Sequence, residues 1–347
     1  MLLNIMKGVS ILAVVLGFLL TLSACGKQPQ GLHLEGMQGT ALWHVTITDA
    51  PVAVSGDELQ SGLEKTMAAS NKLIATWDQD SEISRFNQYQ GGDWFAVSAD
   101  LAKLVDTTLQ ISAQSGGVYD VTVGPLIKLW GFASHDSAKD VVPGQAEIDA
   151  TRAKVGYQKL QVRLDPPALR KSRPDVLVEL ASVADGFAAD QVGLYLESRG
   201  VKQYMVEVAG EIRTRGLSPR GDDWRIAIEK PIEEGQAVQQ GIELKDAGLA
   251  TSGDYRNYFI QGGKRYSHTI DPATGYPVTY NLASVSVLAA NATLADAYAT
   301  TLMASGEEKG KAFAEQHGIS AYFIWRTDQG FATDETAGFK QAMIAGE

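Results

Sequence analysis

The sequence predicts an α+β fold of mixed, mainly antiparallel sheets with helices, in one large domain or two intimately packed lobes. Strand-like and helix-like runs follow one another without the steady alternation of a doubly wound parallel sheet. Strand-like runs are joined by glycine turns, and Tyr255–Ile270 turns at Gly262-Gly263 as a hairpin does. Neither GxGxxG nor GxxxxGKS/T occurs, so a standard dinucleotide site or P-loop lacks support.

Hydrophobic periodicity predicts the elements in order. Ser55 opens the first helix with a capping box, and Ser98 caps the second helix, which Ser115-Gly116-Gly117 ends. Further helices are predicted at Ala184–Arg199 and Thr293–Ala304, with a polar loop at Asp78–Asn87, a broken apolar run at Val118–Phe132 and a polar connector at 133–150. The predicted strands are Gly39–Thr48, Asp175–Leu180, Gln203–Val208, Trp224–Glu229, Gly241–Leu244, Gly248–Ser252, Ala283–Ala289 and Ile319–Arg326.

The N-terminus has the features of a lipoprotein leader. Lys7 precedes the short apolar run Ile11–Leu20, and Leu22-Ser23-Ala24-Cys25 follows as a cleavage box. We therefore expect residues 1–24 to be a signal peptide, 25–36 a tether and 37–347 the folded domain, with Cys25 lipidated on the periplasmic side of a bacterial membrane. Gly26 after the cysteine slightly favours the outer membrane. Because Cys25 is the only cysteine, no disulfide can form within the chain.

The formal net charge of -11 excludes generic nucleic-acid binding, because an acidic surface repels phosphate. An anionic ligand would have to be held by local dipoles and a metal ion.

Asp296 and Thr300 lie one turn apart on one face of a predicted helix. A carboxylate and a hydroxyl are hard oxygen ligands that suit Mg²⁺, and two protein ligands leave positions for phosphate oxygens. A solvated or capping pair is the alternative at this spacing.

The segment Glu179–Asp190 is rich in small residues and leads into a helix. The free amides and positive dipole of such a helix start could bind a pyrophosphate. Tight packing between helix and strand explains the small residues as well.

His268 ends a strand-like run and precedes the turn Asp271–Gly275. Its imidazole is suited to accept a proton at neutral pH. The aromatic residues Trp77, Tyr119 and Trp130 stand beside polar loops and glycines, where they could stack on a planar heterocycle or simply pack in the core.

Six segments together resemble the ApbE family, the FAD:protein FMN transferases. They span nearly the whole mature chain in the family order. The segments are Met37–Thr40, Asp80–Asn87 (DSEISRFN), Gly117–Phe132 (GVYDVTVGPLIKLWGF), Glu179–Asp190 (ELASVADGFAAD), Ser267–Pro277 (SHTIDPATGYP) and Ala295–Thr301 (ADAYATT).

The resemblance implies a T-fold-like α+β fold that binds FAD between two lobes, with Mg²⁺ bridging the pyrophosphate and the protein. The family's metal ligands match the side chains of Asp296 and Thr300 and the carbonyl of Ala184, and its proposed base matches His268. Asp271 would orient that base or belong only to the turn. Positions that line the FAD site in relatives match Met37, Trp77, Val118, Tyr119, Asp120, Ser182, Phe187 and Ile270.

The resemblance also implies the reaction and its partners. A threonine hydroxyl of a target protein attacks the FMN-side phosphorus of FAD, and AMP leaves. The family's targets are subunits of membrane redox pumps, such as the sodium-translocating NADH:quinone reductase and the Rnf complex. FAD hydrolysis to FMN and AMP, and FAD binding without catalysis, are the alternatives.

The chain departs from the family pattern at two points. Asp185 stands where many members carry a lysine, so cationic help to the phosphates is absent there. Trp77 stands where some relatives carry tyrosine or asparagine.

Overall fold

The computed structural model describes residues 31–39, 41–50, 54–132, 142–232, 235–254 and 258–344. The predicted signal peptide, Cys25 and the first part of the tether lie outside these ranges. No helix in the described ranges is long and apolar enough to cross a membrane.

The strands and helices alternate irregularly along the chain. The strands are β1 (Leu32–Gln38), β2 (Ala41–Ile47), β3 (Phe95–Ala96), β4 (Leu160–Leu164), β5 (Pro167–Lys171), β6 (Tyr204–Val208), β7 (Glu211–Arg215), β8 (Trp224–Glu229), β9 (Val238–Leu244), β10 (Gly248–Gly253), β11 (Tyr258–Gln261), β12 (Lys264–Ser267), β13 (Leu282–Ala289), β14 (Ser320–Thr327) and β15 (Gly330–Glu335). The helices are α1 (Gly56–Ile74), α2 (Glu82–Gln88), α3 (Ala99–Gln114), α4 (Gly124–Leu129), α5 (Gln145–Arg152), α6 (Ala184–Ser198), α7 (Ala292–Ser305), α8 (Glu307–Gln316) and α9 (Ala337–Lys340).

The largest sheet has eight strands in the order β1-β2-β6-β7-β10-β13-β14-β15, all paired antiparallel. Successive side chains of a strand face opposite sides of a sheet. On one side, Ala250 and Phe323 face α7, whereas their neighbours Leu249 and Ile324 join β8, β9 and α9 on the other side. Helices α1, α6 and α7 thus form a layer on one face of the sheet, and the antiparallel prediction is confirmed.

A second region surrounds the small sheet β3-β5-β4 and helix α3. Its core includes Phe86, Leu101 and Val105, and it continues into Val183 and Phe187 of the helix layer. This hydrophobic cluster therefore spans both regions, in keeping with the predicted intimate packing.

The hairpin β11–β12 turns at Gly262 and Gly263, whose φ angles of 58° and 76° favour glycine. Buried Asp254 anchors this hairpin to the sheet. The Arg326 guanidinium on β14 binds both of its oxygens at 2.6 and 3.2 Å, and Arg265 on β12 donates to its carbonyl at 2.7 Å.

Four segment predictions were wrong. Residues 32–36 of the predicted tether belong to β1, because they pair with β2. The predicted loop Asp78–Asn87 contains α2, which Ser81 caps by accepting the Ser84 amide at 3.1 Å. The connector 133–150 contains the start of α5. Asp175–Leu180 is not a strand. The side-chain amide of Asn87 donates to the Val178 carbonyl and accepts from the Val178 N–H, where a neighbouring strand would pair.

Candidate functional site

The predicted metal-binding residue Asp296 lies beside two further carboxylates. Asp185 is on the first turn of α6, Glu211 begins β7 and Asp296 is on α7. The three carboxylates interact electrostatically with one another. Sequence reasoning missed Glu211, because nothing in its local sequence marks it and only the packing of β7 against the helices brings it here.

Gly186 allows α6 and α7 to approach closely at this point. A Cβ atom on Gly186 would lie 2.6 Å from the Ala292 carbonyl oxygen and 2.9 Å from the Asp296 Cβ. The Gly186 amide donates a hydrogen bond to Asp296 Oδ2 at 3.2 Å. The N-terminus of α6 has no side-chain cap of its own, so Asp296 supplies an acceptor for one of its free amides.

Burial and mutual repulsion shift the acidity of this cluster. Burial raises the pKa of Asp185 to about 6. Burial, and then the Asp185 charge, raise the pKa of Asp296 well above its usual range. Burial, followed by the charges of Asp296 and Asp185, does the same for Glu211. Ionised carboxylates in such a place are costly without a nearby positive charge, so the cluster suits a divalent cation.

The protein offers only part of a metal ion's coordination shell, so a bound molecule would supply the remaining ligands. Thr300 lies one turn after Asp296, is half-buried, and its hydroxyl makes no hydrogen bond within the described part of the chain. In that same part, no three His, Cys, Asp or Glu side chains form a ready-made metal cage. Ala184 is the first residue of α6, where the helix's own hydrogen bonding competes for its carbonyl, and its role stays a prediction.

Tyr119 and Ser182 meet beside the acidic cluster. The Tyr119 hydroxyl lies 3.0 Å from Ser182 Oγ, and burial raises the pKa of Tyr119. Asp120 faces inward and accepts hydrogen bonds from the Thr122 amide at 2.8 Å, the Thr122 hydroxyl at 2.6 Å and the Tyr157 amide at 2.7 Å. Burial raises the pKa of Asp120 as well. Its carboxylate therefore orders the 120–122 turn.

The predicted flavin-contacting residues differ in exposure. Met37 and Trp77 are 67% and 71% exposed, which is unusual for large apolar side chains. Val118 is half-buried, whereas Phe187 and Ile270 are buried, so these three offer a ligand only edges. Their roles stay predictions.

Trp130, which the sequence offered as a stacking aromatic, is fully buried. It stacks on Tyr266 with ring centroids 5.6 Å apart, and its Nε1 donates to the Gly275 carbonyl at 2.8 Å. Core packing therefore explains Trp130.

His268 follows directly after β12 and is half-buried. Its ring lies edge-on to Phe132 with centroids 6.4 Å apart. Both oxygens of Asp271 accept hydrogen bonds within the turn, from the Ala273 amide at 2.9 Å and the Thr274 hydroxyl at 3.0 Å. These bonds favour the role of Asp271 in shaping the turn, which the Ile270–Pro277 bridge closes.

The segment 117–132 joins the acidic cluster to the His268 turn. At one end Tyr119 binds Ser182, and at the other Trp130 binds the backbone of Gly275. Between them Glu179 donates its amide to the Val121 carbonyl at 2.7 Å. The Glu179 carboxylate accepts hydrogen bonds from the Thr76 hydroxyl at 2.8 Å and the Ala181 amide at 3.0 Å. Glu179 thus ties Thr76, the neighbour of exposed Trp77, to the segment that leads into α6.

Comparison with known proteins identifies the family of this chain. The ApbE family sequence model matches residues 39–323. The chain is 41% identical over 327 residues to the FAD:protein FMN transferase of Vibrio cholerae. The alignment covers 94% of this chain and 97% of the relative. It is 37% identical over 347 residues to the Escherichia coli K12 protein of the same name, with 97% of each chain covered.

Solved structures agree with these relatives. The flavin transferase ApbE from Vibrio cholerae superimposes with a TM-score of 0.81 at 39% identity, covering 90% of this chain and 98% of that one. An ApbE protein from Thermotoga maritima superimposes with a TM-score of 0.80 at 24% identity, covering 91% and 100%, and shows the fold alone. The shared fold, the near-complete sequence match and the six ordered segments together establish that the chain belongs to the ApbE family.

Proposed function

We propose that this chain transfers FMN from FAD to a threonine hydroxyl of a target protein and releases AMP. Relatives at 37% and 41% identity are FAD:protein FMN transferases. The observation that carries the proposal is the set of interacting carboxylates of Asp185, Glu211 and Asp296 at the start of α6. Such a cluster repels a diphosphate unless a cation lies between the carboxylates and the phosphates, as in metal-dependent phosphoryl transfer.

Asp296 and Thr300 would hold Mg²⁺ through their side-chain oxygens, with the Ala184 carbonyl as the predicted third ligand. When bound, the ion supplies positive charge that neutralises the diphosphate and stabilises the leaving phosphate. The chain's own part is to hold Asp296 in place through the Gly186 amide. Asp185 and Glu211 add negative charge, which strengthens the hold on a divalent ion and disfavours a diphosphate that arrives without one.

His268 acts as the general base. Its imidazole takes the proton of the threonine hydroxyl as that oxygen bonds to the FMN-side phosphorus of FAD. The bond between the two phosphates breaks, and AMP departs with the bridging oxygen. One phosphoester bond replaces one phosphoanhydride bond, and the proton remains on His268. Asp271 supports this step by shaping the turn next to His268.

Met37 and Trp77 provide the apolar surfaces for the flavin ring. An exposed thioether and an exposed indole can bury much of their area against a planar heterocycle. The family resemblance assigns the interior side of the same site to Tyr119, Ser182, Val118, Phe187 and Ile270. Asp120 supports that side by ordering the turn next to Tyr119.

The sequence also supports a location and a class of partner. The leader and Cys25 indicate a lipid-anchored protein on the periplasmic side of a bacterial membrane. The proposed partners are threonine-bearing subunits of membrane redox pumps of the Nqr and Rnf type, because an enzyme anchored on that side could reach their surfaces there. Metabolic labelling with palmitate tests the anchor, since Cys25→Ser should abolish labelling and membrane retention; equal labelling of both forms would contradict it.

Incubation of the purified chain with FAD, Mg²⁺ and a threonine-bearing target fragment tests the function. We expect the fragment to gain the mass of FMN, with one AMP released for each modified fragment. A fragment with Thr→Val at the acceptor should remain unmodified. Free FMN and AMP without labelling would establish FAD hydrolysis, and absence of AMP under every metal condition would establish FAD binding alone.

A further inference from the structure

One buried carboxylate joins the three elements that carry the acidic cluster. Asp190 lies on α6 and is 7% exposed. Its Oδ1 accepts hydrogen bonds from the Ala292 amide at 3.0 Å and from Arg213 Nη1 at 2.9 Å. Its Oδ2 accepts from the Thr293 amide at 2.9 Å and the Thr293 hydroxyl at 2.5 Å. Protein donors therefore occupy both oxygens, so Asp190 is not itself available as a metal ligand.

The bonds to Ala292 and Thr293 fix the start of α7. These are the first two residues of that helix, whose amides have no partner within it. The negative charge of Asp190 also lies at the positive end of the helix dipole. Asn291 adds a second cap by accepting the Leu294 amide at 2.9 Å. A helix held by two caps is fixed in rotation about its axis, and Asp296 is on its next turn.

The bond to Arg213 extends the same constraint to the sheet. Arg213 follows Glu211 by two residues on β7, so the two side chains point to the same face. Its guanidinium also binds the Tyr204 hydroxyl at 3.1 Å and Glu197 Oε1 at 3.3 Å. Asp190 thus links β7, which carries Glu211, to α6, which carries Asp185, and to α7, which carries Asp296.

We propose that Asp190 is the positioning residue of the metal site: it fixes the start of α7, and with it the metal ligand Asp296, relative to α6 and β7. The proposal rests on the proposed function, because that function supplies the cation. Residues that orient metal ligands without touching the metal commonly change metal affinity by about 10- to 100-fold when substituted.

The test measures Mn²⁺ binding to the full chain without FAD, with electron paramagnetic resonance as the readout. Asp190→Asn is expected to weaken Mn²⁺ binding by about tenfold, and saturating Mn²⁺ should restore most FMN transfer. Glu197→Gln is the matched control. It removes another carboxylate partner of Arg213 and leaves the α7 cap intact. It should lower the melting temperature without changing Mn²⁺ affinity.

Thr293→Ala is the second variant, because it deletes one of the four bonds to Asp190 and keeps the charge. It should weaken Mn²⁺ binding by about threefold, and it decides the question if Asp190→Asn fails to fold. Unchanged Mn²⁺ affinity in the folded variants, or equal losses in Glu197→Gln, would overturn the positioning role. A wild-type chain that binds no Mn²⁺ would instead contradict the proposed function.

Discussion

The acidic cluster and the His268 turn are held in place by different means. Asp185, Glu211 and Asp296 lie on two long helices and a strand of the eight-stranded sheet, joined by Asp190 and Gly186. His268 lies at the end of a four-residue strand in a two-stranded hairpin. A hairpin of this size is marginally stable alone, so its position depends on Asp254 below and Trp130 beside it. The carboxylates of the cluster therefore repel one another on elements that are tied together, whereas the position of the turn depends on its anchors.

The largest expected effect comes from a substitution in the acidic cluster. Asp296→Asn should lower FMN transfer roughly a thousandfold, because a metal ion supplies several kcal/mol of transition-state stabilisation. The same change should raise the melting temperature in EDTA, since it removes a carboxylate whose ionisation is disfavoured by burial and by the Asp185 charge. Transfer assays with and without Mg²⁺ and thermal denaturation measure both. Normal metal dependence of the variant would place the metal elsewhere.

His268→Ala should lower transfer by about a hundredfold, within the usual range for a lost general base. FAD affinity and Mn²⁺ affinity should stay at wild-type values, because His268 lies in the hairpin turn and not in the acidic cluster. His317→Ala is the matched control, since that ring packs against Phe313 with centroids 4.4 Å apart and bonds Gln114. Equal rates for wild type and His268→Ala would remove the histidine from the reaction.

The acidic cluster should contribute a loss of stability as the pH rises. The pKa of Asp185 is raised in the folded state, to about 6, so folding favours its protonated form. The associated stability is fully present below about pH 4 and is lost as the pH rises through about 6. In EDTA, urea midpoints should therefore fall from pH 4 to pH 7.5, and less so in Asp185→Asn. Identical pH profiles for the two proteins would show that Asp185 is not strained.

The smallest expected effect concerns the exposed flavin surface. Trp77→Ala should weaken FAD binding by about three- to tenfold, the contribution of one aromatic stacking contact. Trp94→Ala is the matched control, because the guanidinium groups of Arg163 and Arg170 each lie over the Trp94 ring, 4.8 Å from its centroid. Fluorescence titration with FAD compares them. Equal affinities for the two variants would show that Trp77 makes no flavin contact.

The sequence predicted the elements and residues whose signals are local. Ser55 and Ser98 accept the predicted capping bonds, and Gly262-Gly263 turns the predicted hairpin. Asp296 and Thr300 lie on the predicted helix. The family resemblance supplied the FAD and metal roles, which spacing alone left open.

What the sequence did not predict depends on tertiary contacts. The backbone near Val178 reads as a strand, but its partner is the side chain of Asn87. Glu211 is one acidic residue at the start of an ordinary strand, and only the sheet order places it beside α6 and α7. Asp190 ends the Glu179–Asp190 segment without any local signal of its role, and it is buried because two other elements supply its donors.

A crystal structure with FAD and Mn²⁺ would test the central claim most directly. We expect an anomalous peak within bonding distance of the Asp296 carboxylate and the Thr300 hydroxyl, in contact with the diphosphate of FAD. Bound FAD with its diphosphate far from these residues and no peak beside Asp296 would contradict the account.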